Sequence, residues 1–176
     1  MLKLGAQKLR TTKPKKADLK RLKKHEIYII LDNVLDTYNV GAIFRLADAI
    51  AARKIILCGQ TETPPSSRIK KASINTTEWV DWEYKKDALT AIKELKESVK
   101  NLEVISVEQS LKSTPYSKAE YKLPLVLVVG HETEGVSREV LNASDKIVEI
   151  PLWGVNKSLN VMVSLGIVLY EVSKTF

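Results

Sequence analysis

The sequence has one cysteine and two histidines in 176 residues, too few for a disulfide framework or a zinc site. Cys58 has no partner for an internal bridge. In the run KIILCG it reads as a buried thiol on a strand, at home in a reducing compartment. His25 and His131 lie far apart, with no cysteine pair between them, so no metal is expected. His131 reads as an exposed or locally hydrogen-bonded loop residue rather than a general base. No apolar run reaches the ~20 residues of a membrane span, and the N-terminus lacks the apolar core of a secretory signal. The expected location is the cytoplasm, with no membrane partner.

Nucleotide and hydrolase signatures are missing as well. No G-x-G-x-x-G follows the first strand pattern, and Gly41 stands alone inside a helical one. A G-x-S-x-G elbow is absent, so no serine nucleophile is nominated. The stretch GHETEGVS, Gly130 to Ser137, matches both glycines of a phosphate loop. It puts Val136 where that loop needs lysine and adds Glu132 and Glu134, which repel phosphate.

Acid is scarce in one place only. Residues 1–24 hold ten lysines and arginines against Asp18, a net of +9, which leaves −2 for residues 25–176 of a chain whose total is +7. A basic arm beside a nearly neutral body suggests counterion-releasing contact with a polyanion, through Lys13, Lys15, Lys16, Lys20 and Arg21 among others. A solvated, flexible terminus is the plainer alternative. The arm offers few bulky apolar residues for insertion into a lipid surface.

Along residues 25–176, strand and helix patterns alternate. IYIIL (27–31) and KIILCG are apolar strand runs on either side of VGAIFRLADAIAA, in which Val40, Ile43, Ala47 and Ile50 share one face of a helix. A short helix is expected over 68–73, a strand in EWVDWEY, and an amphipathic helix in KKDALTAIKELKESVKN. Further strands follow in LEVISVEQS, LPLVLVVG and KIVEIP, with a short helix over 137–141 and a last helix from Ser158 to about Lys174. The continuous apolarity of LPLVLVVG implies burial on both faces, as in a parallel sheet. The pattern predicts one doubly wound α/β domain with a mostly parallel sheet and helices on both faces. The last helix, SLNVMVSLGIVLYEV, is apolar nearly all round. One face on its own sheet leaves another for a second subunit.

Ligands of open α/β sheets bind beyond the carboxyl ends of the strands. Asn33, Asn39 and Arg45 flank the first such corner, Glu132 lies at a second, and Ser158 and Asn160 open the last helix. Taken singly, Asn39 and Ser158 are good helix N-caps and Asn33 suits a turn. Taken together, NVLDTYNVGAIFRLADA, LVLVVGHETEGVS and IVEIPLWGVNKSLNVMVSLGIVLYE resemble, in order and spacing, the three motifs of SpoU/TrmH RNA methyltransferases in the SPOUT superfamily. The resemblance runs from Glu26 to the C-terminus.

It implies transfer of a methyl group from S-adenosylmethionine to a ribose 2′-oxygen of tRNA or rRNA. It also implies a C-terminal trefoil knot and a homodimer with the site at its interface. Arg45 would stand by the target ribose, Asn39 would orient it or the substrate, and Glu132 would pair with this polar cluster, facing the arginine, or brace the dimer. Ser158 and Asn160 would shape the site, with Val107, Gly130, Ile150 and Leu159 at the cofactor. Two departures stand out. Met162 and Ser164 replace a serine and an alanine common in the third motif, and the basic arm stands where many members carry a large RNA-binding domain. The competing expectation is an idle RNA-binding or assembly factor that keeps the fold.

Overall fold

A computed structural model describes residues 4–176; Met1 to Lys3 of the basic arm lie outside the described residues. Seven strands form one parallel sheet in the order β3-β2-β1-β6-β4-β7-β5. They are β1 (His25–Asp32), β2 (Ala52–Cys58), β3 (Trp82–Lys85), β4 (Glu103–Val107), β5 (Thr114–Pro115), β6 (Leu125–Gly130) and β7 (Lys146–Glu149). The helices are α1 (Ala6–Leu9), α2 (Lys16–Lys20), α3 (Thr37–Ala49), α4 (Ser67–Ser73), α5 (Ala88–Ser98), α6 (Arg138–Ala143) and α7 (Val161–Val172).

Strand alternation sorts the apolar residues into two cores. Ile27, Ile29 and Leu31 of β1, with Leu125, Leu127 and Val129 of β6, pack with Val40, Ile43 and Phe44 of α3, Ile69 of α4 and Leu165, Val168 and Leu169 of α7. Tyr28, Ile30, Val126 and Val128 turn the other way, to Ala91, Ile92 and Leu95 of α5 and Val140 of α6. Every residue of β6 is buried, as its unbroken apolarity predicts for a central strand covered on both faces.

Helix starts differ from the sequence reading because caps are set by backbone geometry. The first long helix begins at Thr37 rather than Val40, since the extended Asp36 accepts a hydrogen bond from Tyr38 N (2.8 Å). Asn39 therefore lies within the first turn and is not a cap. The last helix begins at Val161 rather than Ser158: Asn160 Oδ1 accepts from Met162 N (3.0 Å) and Val163 N (3.2 Å). EWVDWEY is strand only from Trp82, because Thr76–Glu78 closes a 3-10 turn that Thr76 Oγ1 ties to Ser73 O (2.9 Å). Asn33 does occupy a turn, at φ 58°.

Residues 4–24 carry the single-turn helices α1 and α2 and touch the body at named points. Asn75 Nδ2 donates to Leu9 O (2.9 Å) and Arg10 O (3.3 Å), and Lys13 and Lys24 pair with Glu78 and Asp81 at 2.7 Å each. Among the described residues, no helix is long and apolar enough to cross a membrane.

Candidate active site

β1, β4, β6 and β7 all end on one side of the sheet, and there the exits of β4, β6 and β7, with the loop before α7, enclose a cleft of about 440 Å³. Val107, Gly130, Ile150 and Leu159, the four residues expected at a cofactor, all line it, as do Glu132, Ser158 and Asn160.

The turn after β6 explains why Gly130 has no side chain. His131 N donates to Gly135 O (3.0 Å) and Gly135 N to His131 O (2.8 Å), closing a tight bridge. A Cβ on Gly130 would run into the Gly135 carbonyl and Val136 N. Gly135 itself is left-handed (φ 71°), and a Cβ there would meet the Glu108 carboxylate. Inside the turn, His131 Nδ1 accepts from Thr133 N (3.0 Å) and Glu134 N (3.1 Å), the local role expected of this histidine.

Three side chains from three corners form a continuous hydrogen-bonded chain. Glu132 Oε1 accepts from Asn39 Nδ2 (3.0 Å) and Asp36 N (3.0 Å), while Oε2 accepts from Leu35 N (3.1 Å). Asn39 Oδ1 accepts from Asn160 Nδ2 (3.0 Å), and Asn160 caps α7. A carboxylate that gathers backbone N–H groups at the mouth of α3 sits where charge-assisted bonds and the helix dipole both favour it. Burial pushes its pKa up, but the Asn39 amide and the N–H groups of Asp36 and Leu35 outweigh that and hold it below the ordinary 4.5.

Arg45 stands apart. Six residues beyond Asn39 on α3, it is turned about 120° away and shifted about 9 Å along the axis. Its side chain is exposed. Glu132 thus pairs with the polar cluster through Asn39, and among the described residues of one copy no ion pair joins it to Arg45. Ser158 is exposed too, and both its N (3.1 Å) and Oγ (3.2 Å) bond to Asn156 Oδ1 instead of the helix.

The motifs did not nominate Asp32 or Glu108, yet both hold the turn after β6. Buried Asp32 accepts from Ser137 N (2.9 Å) and Asn33 Nδ2 (2.9 Å), and Glu108 accepts from Val136 N (2.9 Å). The available signal was an acid closing an apolar strand run, IYIILD in one case and VISVE in the other.

Among the described residues, the cleft carries Glu108, Glu132, Glu134 and Glu149 against Lys157 as its one lysine or arginine. Val107, Val129, Ile150, Leu152 and Leu159 supply apolar wall. Such a lining suits a ligand with an apolar or aromatic body and a cationic centre. It is a poor fit for a polyphosphate.

The family model of the SpoU rRNA Methylase family matches residues 26–170. A tRNA (guanosine(18)-2'-O)-methyltransferase of Aquifex aeolicus is 31% identical over 168 residues, 89% of this chain and 75% of that protein. A 23S rRNA (guanosine-2'-O-)-methyltransferase of Ralstonia nicotianae is 30% identical over 82% of this chain, which spans only 57% of that relative. Among solved structures, the A. aeolicus TrmH/SpoU tRNA modifying enzyme superposes with a TM-score of 0.79 at 27% identity, over 96% of this chain and 81% of that one. An AdoMet-bound rRNA methyltransferase of Sinorhizobium meliloti gives 0.79 at 28% identity, over 96% of this chain and 60% of its own. The sheet order, the cleft and the three corners thus sit on a shared frame, and the chain belongs to the SpoU rRNA Methylase family.

Proposed function

We propose that this chain is an RNA methyltransferase that moves a methyl group from S-adenosylmethionine to a ribose 2′-oxygen. The observation that carries the reading is the acid-rich, apolar-walled cleft formed by Val107, Gly130, Ile150 and Leu159 beside the Glu132–Asn39–Asn160 chain. When bound there, the cofactor supplies an electrophilic methyl on a cationic sulfur. Four nearby carboxylates complement its charge, and Gly130 lets the backbone approach closely. The chain of hydrogen bonds fixes the mouth of α3 and the start of α7, so positioning contributes much of the acceleration.

A guanidinium makes a poor general base, so Arg45 is not the group that takes the 2′-hydroxyl proton. Its role is to clamp an RNA phosphate and stabilise the alkoxide that develops as the 2′-hydroxyl gives up its proton, with the phosphate as proton acceptor. That role is compatible with an exposed Arg45 outside the cleft, since the RNA must arrive from solvent. Ser158 shapes the cleft rim rather than taking part in proton transfer.

The surface around α7 supports a homodimer. Tyr38 of α3 is 53% exposed and Tyr170 of α7 57%, with Val163 and Leu159 also exposed. A second copy laid over this apolar strip would cover it and bring Arg45, on the same outer flank of α3, to a shared site. The threading of β6 and β7 beside β4 is consistent with the trefoil knot of the family. Transfer RNA is the substrate we favour, given the compact body and basic arm, with rRNA as the alternative and the cytoplasm as location. Incubation with methyl-labelled S-adenosylmethionine and bulk RNA, followed by mapping of alkali-resistant linkages, tests the activity. Incorporation at 2′-oxygens is expected. No incorporation at any salt concentration would leave the idle binding factor standing.

A further inference from the structure

Helix α4 turns Ile69 and Ser73 inward and presents Arg68, Lys70 and Lys71 to solvent. None of these three cations is in an ion pair among the described residues. The helix ends in two consecutive left-handed residues, Ile74 (φ 52°) and Asn75 (φ 64°). For a β-branched side chain this conformation is strained, and such strain persists only where the surroundings hold it. What it achieves is visible in the next contact: Asn75 points its amide at the carbonyls of Leu9 and Arg10 and fastens the basic arm beside α4.

The same helix borders the flank of α3 that carries Arg45. Gly41 of α3 lies under α4, where a Cβ would meet Ala72 Cβ at 2.5 Å and Ile69 O at 2.7 Å. Arg45 follows Gly41 by one turn and is exposed. Of the acids nearby, Glu78 is paired with Lys13 (2.7 Å), Asp48 keeps its charge but is turned to Trp79 Nε1 (2.6 Å), and Glu62 lies before the helix. Positive charge therefore runs from Arg45 over α4 to Arg10 and Lys8. None of the large exposed apolar residues falls within 66–78, so the face lacks what a lipid surface would bind.

We propose that the outward face of α4, with the arm latched to it by Asn75, is a docking surface for an RNA sugar-phosphate backbone that leads the strand to Arg45. This rests on the methyltransferase reading for its direction but not for its binding. The test is the full chain carrying Arg68→Gln, Lys70→Gln and Lys71→Gln together, against a charge-matched control on the opposite face of the sheet, Lys86→Gln, Lys93→Gln and Lys100→Gln. Fluorescence anisotropy with bulk tRNA at several salt concentrations reads the affinity. The α4 variant is expected to bind at least tenfold more weakly and to lose about 2 from its salt slope, at ~0.7 per phosphate contact, with S-adenosylmethionine affinity unchanged and KM for RNA raised at constant kcat. The control is expected to match wild type.

Asn75→Gly keeps the left-handed backbone and removes the latch. It is expected to raise hydrogen exchange at residues 8–13 and to weaken RNA binding by a smaller factor. Equal losses in the α4 variant and its control, or binding to phosphatidylserine vesicles in place of RNA, would overturn the proposal; unchanged exchange and affinity in Asn75→Gly would overturn the latch. Tight RNA binding with the predicted losses but no methyl incorporation would refute the enzyme reading alone.

Discussion

In the cleft, Glu132, Asn39 and Asn160 direct their polar atoms to one another and to backbone groups, whereas on the basic face Arg68, Lys70 and Lys71 leave theirs to solvent. The first arrangement suits a small ligand that must be held in one pose, because its donors and acceptors are fixed before anything binds. The second suits a long polyanion, for which affinity comes from released counterions and needs little geometry. Arg45 lies at the boundary. It shares a helix with Asn39, but its exposed side chain belongs to the basic face.

The sharpest way to break the contrast is at Gly130. A methyl group there has no flexible neighbour to displace, only the Gly135 carbonyl and Val136 N. Gly130→Ala is expected to abolish measurable S-adenosylmethionine binding by calorimetry and to cost about 3 kcal/mol of stability in denaturant melts, the upper range for overpacking. Cofactor binding within threefold of wild type would show that the turn after β6 is not a rigid wall.

Arg45→Ala separates the two regions functionally. Turnover is expected to fall at least ~100-fold, the scale of a lost transition-state donor, while S-adenosylmethionine affinity stays within about twofold because Arg45 is outside the cleft. Full activity would remove Arg45 from the chemistry.

The cleft was legible in the sequence because its parts are local. Glycine at a strand exit, an acid two residues after it and an asparagine before an apolar helix each have few physical readings, and their order along the chain matched a known pattern. Partners across corners were not legible. Whether Asn39 or Asp36 caps α3, and whether Ser158 or Asn160 caps α7, is decided by which residue is extended, and composition allows either. Asp32 and Glu108 escaped because each acts on backbone groups more than 25 residues away, Ser137 N and Val136 N. The two-residue edge strand β5 is shorter than any periodicity can register. On the basic face, net charge identified the arm, but α4 became part of it only once Asn75 was seen to hold Leu9 and Arg10.

Glu132→Gln probes the network without changing its size. An amide presents one oxygen where three donors now meet two carboxylate oxygens, and its NH2 faces either Leu35 N or Asp36 N. A loss of about 1 kcal/mol is expected at neutral pH, with S-adenosylmethionine binding weakened severalfold. The carboxyl's pKa is depressed in the folded state, so its contribution is complete above the ordinary 4.5 and disappears as pH falls through the lower folded value. Acid denaturation of the glutamine variant should accordingly be less steep below about pH 4.5. Identical acid limbs for variant and wild type would mean that Glu132 carries no linked proton.

The smallest effect is expected at Met162, where the third motif departs from the common serine. Met162 is half-buried against the core beneath α7 and does not line the cleft, although Val161 and Ser164 do. Its replacement of serine is therefore a matter of packing. Met162→Ser should remove apolar contact worth about 1 kcal/mol, the low end for a partly exposed site, and lower the melting temperature by about 2–4 °C. Turnover should remain within about twofold. A several-fold rise in kcat at unchanged melting temperature would place position 162 in contact with substrate and extend the reacting region along α7, from the fixed polar chain toward the exposed flank that carries Tyr170.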